Sequence, residues 1–210
     1  MSKSALIEAH YLPCIEFFCA LDQYEKIRIE EFEHFQKQTY RNRTYLLGAN
    51  NVLALTIPVV KGNSKTIMRD LKVDNNQRWL TEHWRSIKSA YGKAPFFEFF
   101  ADHFSRAYSV TPSFLIDFNI SLLTICLNLL QVQKTIDKTD TFQPDNKKGV
   151  IDLRSMIIPK KKYSDRPFYS PIAYIQVFGK NFVPNLSVID LLMNEGPNAN
   201  AIIQRSKKSE

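Results

Sequence analysis

The tightest constraint on this chain is the short stretch that separates two apolar runs near its start. Residues 5–9 (ALIEA) read as a buried strand, and residues 26–30 (KIRIE) alternate as a second. Between them Cys14, Ile15, Phe17, Phe18 and Leu21 recur at helical spacing, ending near Asp22. Pro13 suits the first position of that helix, where a missing N–H is no loss. Strand, tight turn, helix and strand form a βαβ unit, slightly short, whose strands prefer parallel pairing with a right-handed crossover. The expected fold class is α/β.

The rest of the chain adds a hairpin and helices. Residues 44–47 and 52–59 read as strands around the turn sequence Gly48-Ala49-Asn50-Asn51, with a polar loop at 61–65 and a short strand at 70–73. A helix capped by Asn75 or Asn76 runs to Tyr91, with Leu80, Trp84, Ile87 and Tyr91 inward and Gly92 as its stop. Pro95 opens a second helix, buried through Phe96, Phe97, Phe100, Phe104 and Tyr108. Pro112 opens a third, reaching Val132, with Phe114, Phe118, Leu122, Ile125 and Leu129 in register. Residues 134–167, with Pro144, Pro159, Pro167 and Lys160-Lys161-Lys162, read as an extended loop or flap. A strand over 173–178, a helix over 188–193 and a disordered tail over 206–210 complete the reading. The whole of 1–210 is expected to be one domain: an α/β part with the hairpin to 74, a helical part over 75–133, the loop over 134–172 and a C-terminal return over 173–205.

Composition narrows the function classes without choosing one. With 44% hydrophobic residues the chain folds around a core, and 28 Lys and Arg against 21 Asp and Glu give a net charge of +7. That mild excess favours an anionic small-molecule partner, but the basic residues are dispersed among acids, so nucleic acid is not the expected partner. The most apolar run, 118–132, contains Asn119 and Asn128 and is shorter than the roughly 20 residues a membrane helix needs, so no membrane insertion is expected. No secretory signal stands at the start, and Cys14, Cys19 and Cys126 lack metal-ligand spacing, which fits free thiols in a cytoplasmic protein. No HExxH, CxxC, P-loop, GxGxxG or GxSxG occurs, so neither metal nor cofactor is expected.

Three segments carry candidate chemistry. The turn His10-Tyr11-Leu12-Pro13 lies where strand one meets helix one, the edge at which open α/β sheets bind ligands and where unpaired N–H groups attract phosphate. His10 either works there or merely caps the helix or packs under the hairpin. A parallel second strand opens residues 32–43 onto the same edge. In that segment Glu33 and His34 are acid–base candidates, and Gln36, Lys37, Arg41, Asn42 and Arg43 are candidates for holding an anion. The other reading is a surface loop whose charges pair locally. Trp79, His83 and Ile87 share a helix face, and His83 with Arg85 either closes the pocket or His83 is core.

The runs EAHYLPCIEFFCAL (8–21), HFQKQTYRNRTYLLGANNVLALTIPVVKG (34–62) and WLTEHWRSIKSAYGKAPFFEFFADHF (79–104) resemble the WbqC-like family. The resemblance is most specific in QKQTYRNR and HWRSIKSAYGKAPFFE, and the tail after Lys134 resembles members from Bacteroidetes-type bacteria. Two departures stand out: Glu8-Ala9 replaces a Gln-Pro pair, and Cys14-Ile15-Glu16 replaces Trp-Leu-Gly. The resemblance implies a place in O-antigen or other surface-polysaccharide synthesis and a glycyl or other acyl transfer to an amino sugar. The opening is also similar to nucleotidyltransferase-like folds, a small Rossmann-like class in which a histidine after strand one meets a nucleotide phosphate. Three functions follow as expectations: a transferase using a nucleotide-linked or acyl-linked donor, with His10 and Lys37 or Arg43 holding the donor phosphate, Tyr11 among the binding residues and His34 or Glu33 as base; a non-catalytic nucleotide-sugar-binding or scaffold protein; and a nucleotidyltransferase-like or RNA-binding role.

Overall fold

The computed structural model describes residues 3–60, 65–143 and 149–208. Its centre is a four-stranded parallel sheet in the order β5-β2-β1-β6. β1 (Ser4–Ile7) pairs in parallel with β2 (Lys26–Ile29), Ile7 opposite Ile29, and α1 (Ile15–Leu21) connects them. Ala5, Leu6 and Ile7 are buried on both faces of the sheet, the signature of a central parallel strand. The expected βαβ opening is therefore present.

The outer strands lie inside the segment that the sequence reads as a loop. β5 (Thr135–Lys138) pairs with β2 and β6 (Val150–Asp152) pairs with β1, both in parallel. Neither contains an apolar run, because an edge strand of three or four residues is half solvated. Hydrogen bonds to the neighbouring strand make each of them a strand. Their placement has a topological consequence. From β1 the chain proceeds outward through β2 to β5, then returns to the other side of β1 as β6. The order reverses between β1 and β6, and the carboxyl ends of these two strands flank the switch point at which open α/β sheets bind ligands.

The hairpin forms as expected from β3 (Arg43–Leu47) and β4 (Val52–Thr56), although β4 stops short of Val59. The short strand at 70–73 is instead a single 3-10 turn (Met68–Asp70) followed by isolated bridges from Lys72 and Val73. The polar loop at 61–65 falls mostly on residues outside those described. The three helices are α2 (Trp79–Tyr91), α3 (Phe97–Tyr108) and α4 (Leu115–Leu129). Helix α2 begins later than its asparagines suggest, because Asn75 bridges the Pro112 carbonyl and the Trp79 indole and so is spent on a turn. Its buried face is Trp79, His83, Ile87, Ala90 and Tyr91, with Leu80 and Trp84 packed at the margin. Among the described residues no helix is long and apolar enough to cross a membrane.

The C-terminal part differs most from expectation. Residues 173–178 are extended but not a strand: Tyr174 and Gln176 bond the buried Asp190 carboxylate at 2.6 and 2.8 Å in place of a neighbouring strand. Helix α5 (Val188–Glu195) is nearly enclosed, and α6 (Ala199–Arg205) follows it. Of the expected disordered tail, residues 209–210 lie outside the described residues; Ser206 is buried, Lys207 pairs with Asp22, and Lys208 donates to the Ser164 and Arg166 carbonyls. Sheet and helices share one apolar core.

Between α5 and α6 the chain turns at Gly196, where φ is +53° and the Phe96 ring occupies the space a Cβ would need. Gly196→Ala is therefore expected to lower stability by about 1–3 kcal/mol, combining backbone strain with overpacking. A thermal melt checks this, and an unchanged midpoint would contradict the packing described.

Candidate functional site

The carboxyl ends of all four parallel strands deliver polar residues to one edge. Glu8 and His10 follow β1, Glu30 and Glu33 follow β2, Thr139 and Gln143 follow β5, and Asp152, Arg154 and Ser155 end or follow β6. A cleft of about 280 Å³ opens there, lined by Glu33, His34, Gln36, Phe142, Asp152 and Arg154. Parallel pairing of β1 with β2 thus brings His10 and residues 33–41 to the same end of the sheet.

Beneath the cleft lies a buried charge network. Arg41 is fully enclosed and grips Glu33 with both prongs of its guanidinium, Nε to Oε1 at 2.7 Å and Nη2 to Oε2 at 2.6 Å. Its Nη1 lies 3.6 Å from Glu8 Oε1, which also accepts from His10 Nε2 at 3.2 Å. The second Glu8 oxygen accepts the Ser155 N–H at 2.9 Å. A parallel cluster holds Arg154, which bonds both oxygens of Asp152, Glu30 Oε2 at 3.1 Å and the Gln143 carbonyl, and lies over the Phe142 ring. Four carboxylates, Glu8, Glu30, Glu33 and Asp152, thus meet two guanidiniums at this edge.

This arrangement changes what the arginines do. Arg41 is not held open for an anion, since its donors are taken by Glu33, Thr39 and Ser155. Its charge is met by Glu33 and Glu8, and the distant Ser155 adds a neutral acceptor. Its role is to hold the Glu33 carboxylate at the cleft floor. Burial pushes the Glu33 pKa up to about 7, against the pull of Arg41, with Glu8 and Glu30 adding to the rise. A carboxylate that titrates near neutrality is suited to general-base work.

His10 reaches the cleft only through others. Its ring is 1% exposed, packed between Phe17 and Tyr40, and burial holds its pKa below the usual histidine range despite Glu8. The helix N-terminus beside it is also filled. Ile15 N–H donates to the Leu186 carbonyl and Glu16 N–H to Asn185, so the protein itself occupies the donors expected to attract phosphate. Pro13 lies one residue before the N-cap, Cys14, and not in the first helical turn.

The other candidates divide clearly. His34 and Gln36 line the cleft, and Lys37 is exposed nearby in sequence. Asn42 is buried and bonds the Ile57 carbonyl. Arg43 lies on the hairpin, where its Nε donates to Thr56. Tyr11 points to the helical side, where its hydroxyl meets Tyr108 and His83 Nδ1, the latter at 2.8 Å. Arg85 is exposed on α2 while His83 is buried, so the two do not close one pocket together. Sequence reasoning missed Glu30, Asp152, Arg154 and Ser155 as participants. The polar cluster DLRS at the end of a short apolar pair was the available signal, obscured by reading 134–167 as a loop. No group of three or more His, Cys, Asp or Glu suited to a metal ion occurs among the described residues.

Burial holds the His83 pKa down to about 4, opposed by a hydrogen bond to the Thr56 backbone. A lowered histidine pKa stabilises the fold fully above pH 6.5 and loses that contribution as pH falls through 4. Replacing His83 with Gln is expected to remove about 3 kcal/mol of the stability change between these pH values. Urea titrations of both proteins across this range check the slope.

The sequence pattern of the WbqC-like protein family matches the chain over residues 8–167 and 162–202. No curated protein and no solved structure gives a significant match.

Proposed function

This chain belongs to the WbqC-like protein family, and from that premise we propose that it transfers an activated acyl group, glycyl or similar, to the amine of an amino sugar in surface-polysaccharide or glycoconjugate synthesis. The observation that carries this reading is Glu33: a carboxylate with pKa about 7, fixed by Arg41 at the floor of a cleft near the sheet's switch point. The surrounding excess of carboxylates favours an ammonium over a further anion. Glu33 takes the proton that the amine must lose to attack. His34 and Lys37, exposed at or near the rim, meet the anionic part of the donor. His10 acts at one remove, holding Glu8 and through it Arg41 and Ser155.

In this reading the sheet is a small Rossmann-like core used as nucleotidyltransferase-like folds use theirs. The chain from 1 to 210 works as one cytoplasmic domain. The sealed position of His10 favours a second reading, a non-catalytic nucleotide-sugar-binding protein. Incubation with nucleotide-linked amino sugars and acetyl-coenzyme A or glycyl-adenylate, followed by mass spectrometry of the sugar, separates them. Acylated sugar is the expected product. Binding without product supports the second reading, and neither binding nor product overturns both.

A further inference from the structure

We propose that Ser155 is the nucleophile of this transfer, carrying the acyl group as a serine ester between donor and amine. The inference rests on the acyl-transfer reading above and adds a covalent intermediate to it. Ser155 follows β6 by three residues, and its backbone N–H donates to Glu8, just past β1, so it lies at the point where strand order reverses. Its φ is +56°, a conformation that residues other than glycine rarely adopt. Glycine or asparagine would make the same turn with less strain, so the turn alone does not call for a serine. A strained turn at the end of a strand is also how α/β hydrolases present a nucleophilic serine, here without a glycine-flanked motif.

The surroundings of the hydroxyl suit the role. Ser155 Oγ accepts from Arg41 Nη2 at 3.2 Å and from Gln36 Nε2 at 3.4 Å. Two N–H donors on one hydroxyl oxygen favour the developing alkoxide and leave the hydroxyl proton as the group to be lost. Among the described residues no acceptor holds that proton. Arg41 Nη2 donates to Glu33 Oε2 at 2.6 Å as well as to Ser155, so Glu33 is the carboxylate that shares its arginine with the hydroxyl, and we assign it to receive the proton. Gln36, which donates to the hydroxyl, and Arg154, the residue before Ser155, both line the cleft.

With a thioester donor, the Oγ–C bond forms as the C–S bond breaks, and the serine proton passes through Glu33 to the leaving thiolate. The acceptor amine then attacks the ester carbonyl. The C–N bond forms, the C–Oγ bond breaks, and the proton lost by nitrogen returns through Glu33 to the serine oxygen.

The test treats the full chain with p-nitrophenyl acetate, following p-nitrophenolate release and mapping acetyl groups by peptide mass spectrometry. A stoichiometric burst with the acetyl group on Ser155 is expected. Ser155→Ala should abolish the burst. Ser155→Gly should abolish it too while holding or raising the melting temperature, since glycine relaxes the positive φ. A wild-type protein with no burst, an acetyl group confined to lysines, or a burst that survives in both variants overturns the proposal. If sugar acylation occurs but persists in Ser155→Ala, the covalent step fails and the transferase reading stands. If Ser155 is acylated but no amino sugar accepts the group, the acceptor assignment fails and the nucleophile stands.

Discussion

Arg41→Met is expected to lower the stability of the protein by about 3–5 kcal/mol, the range seen when one partner of a buried ion pair is removed. The methionine fills much of the volume, so a cavity is a minor part of the loss. The damage comes from Glu33 and Glu8, both buried, which lose the guanidinium 2.6 to 3.6 Å away. Each must then protonate or stay charged without its guanidinium. The loss should therefore be greatest above neutral pH and shrink toward pH 4.5, where carboxylates protonate at small cost. Urea melts at pH 5 and pH 8 check both size and sign. Arg43→Ala supplies the contrast: on the exposed side of the hairpin it should change stability by no more than about 0.5 kcal/mol. Two arginines that look equivalent in the run RNR thus differ several-fold in expected effect. If Arg41→Met melts like the wild type, the charge network is not formed as described.

The second large effect is on turnover. Glu33→Gln should slow acyl transfer on the order of 10²- to 10⁴-fold, the usual contribution of a general base. In the wild type, transfer should rise through pH 7 as Glu33 ionises, with a plateau above it. In Glu33→Gln that acid limb should vanish, which separates lost base from lost stability. Glu8→Gln gives an independent check. Glu8 carries one of the charges that hold the Glu33 pKa up, so removing it should move the acid limb to lower pH. The variant also removes the charge that faces Arg41 at 3.6 Å and should be less stable. Rate profiles at a temperature below both melts decide the matter, and an unmoved limb would sever Glu8 from the base.

Glu8 shows how far the sequence carries a reader. It stands out as a departure from the Gln-Pro pair of similar sequences, yet nothing local says that it is buried between a histidine and an arginine. His10 and residues 33–41 were legible as neighbours, because parallel strands end at a common edge whatever follows them. That Arg41 turns inward to carboxylates and Arg43 outward to Thr56 was not legible, since it depends on residues from 8, 33 and 155 arriving at one place. The same holds for Asp190, whose partners Tyr174 and Gln176 sit in a segment with strand-like composition and no neighbouring strand.

By itself the sequence determined the βαβ opening, the hairpin, the three central helices and the family. Each rests on side-chain periodicity, turn residues or a continuous motif, all set by backbone geometry over a few residues. Only the tertiary structure decided that residues 135–138 and 150–152 are the edges of the sheet, where the strand order reverses, and which charges are buried together. An edge strand takes its identity from hydrogen bonds to a distant partner. A buried charge is tolerable only where distant chain segments supply its counter-ion, and no local pattern records which segments those are.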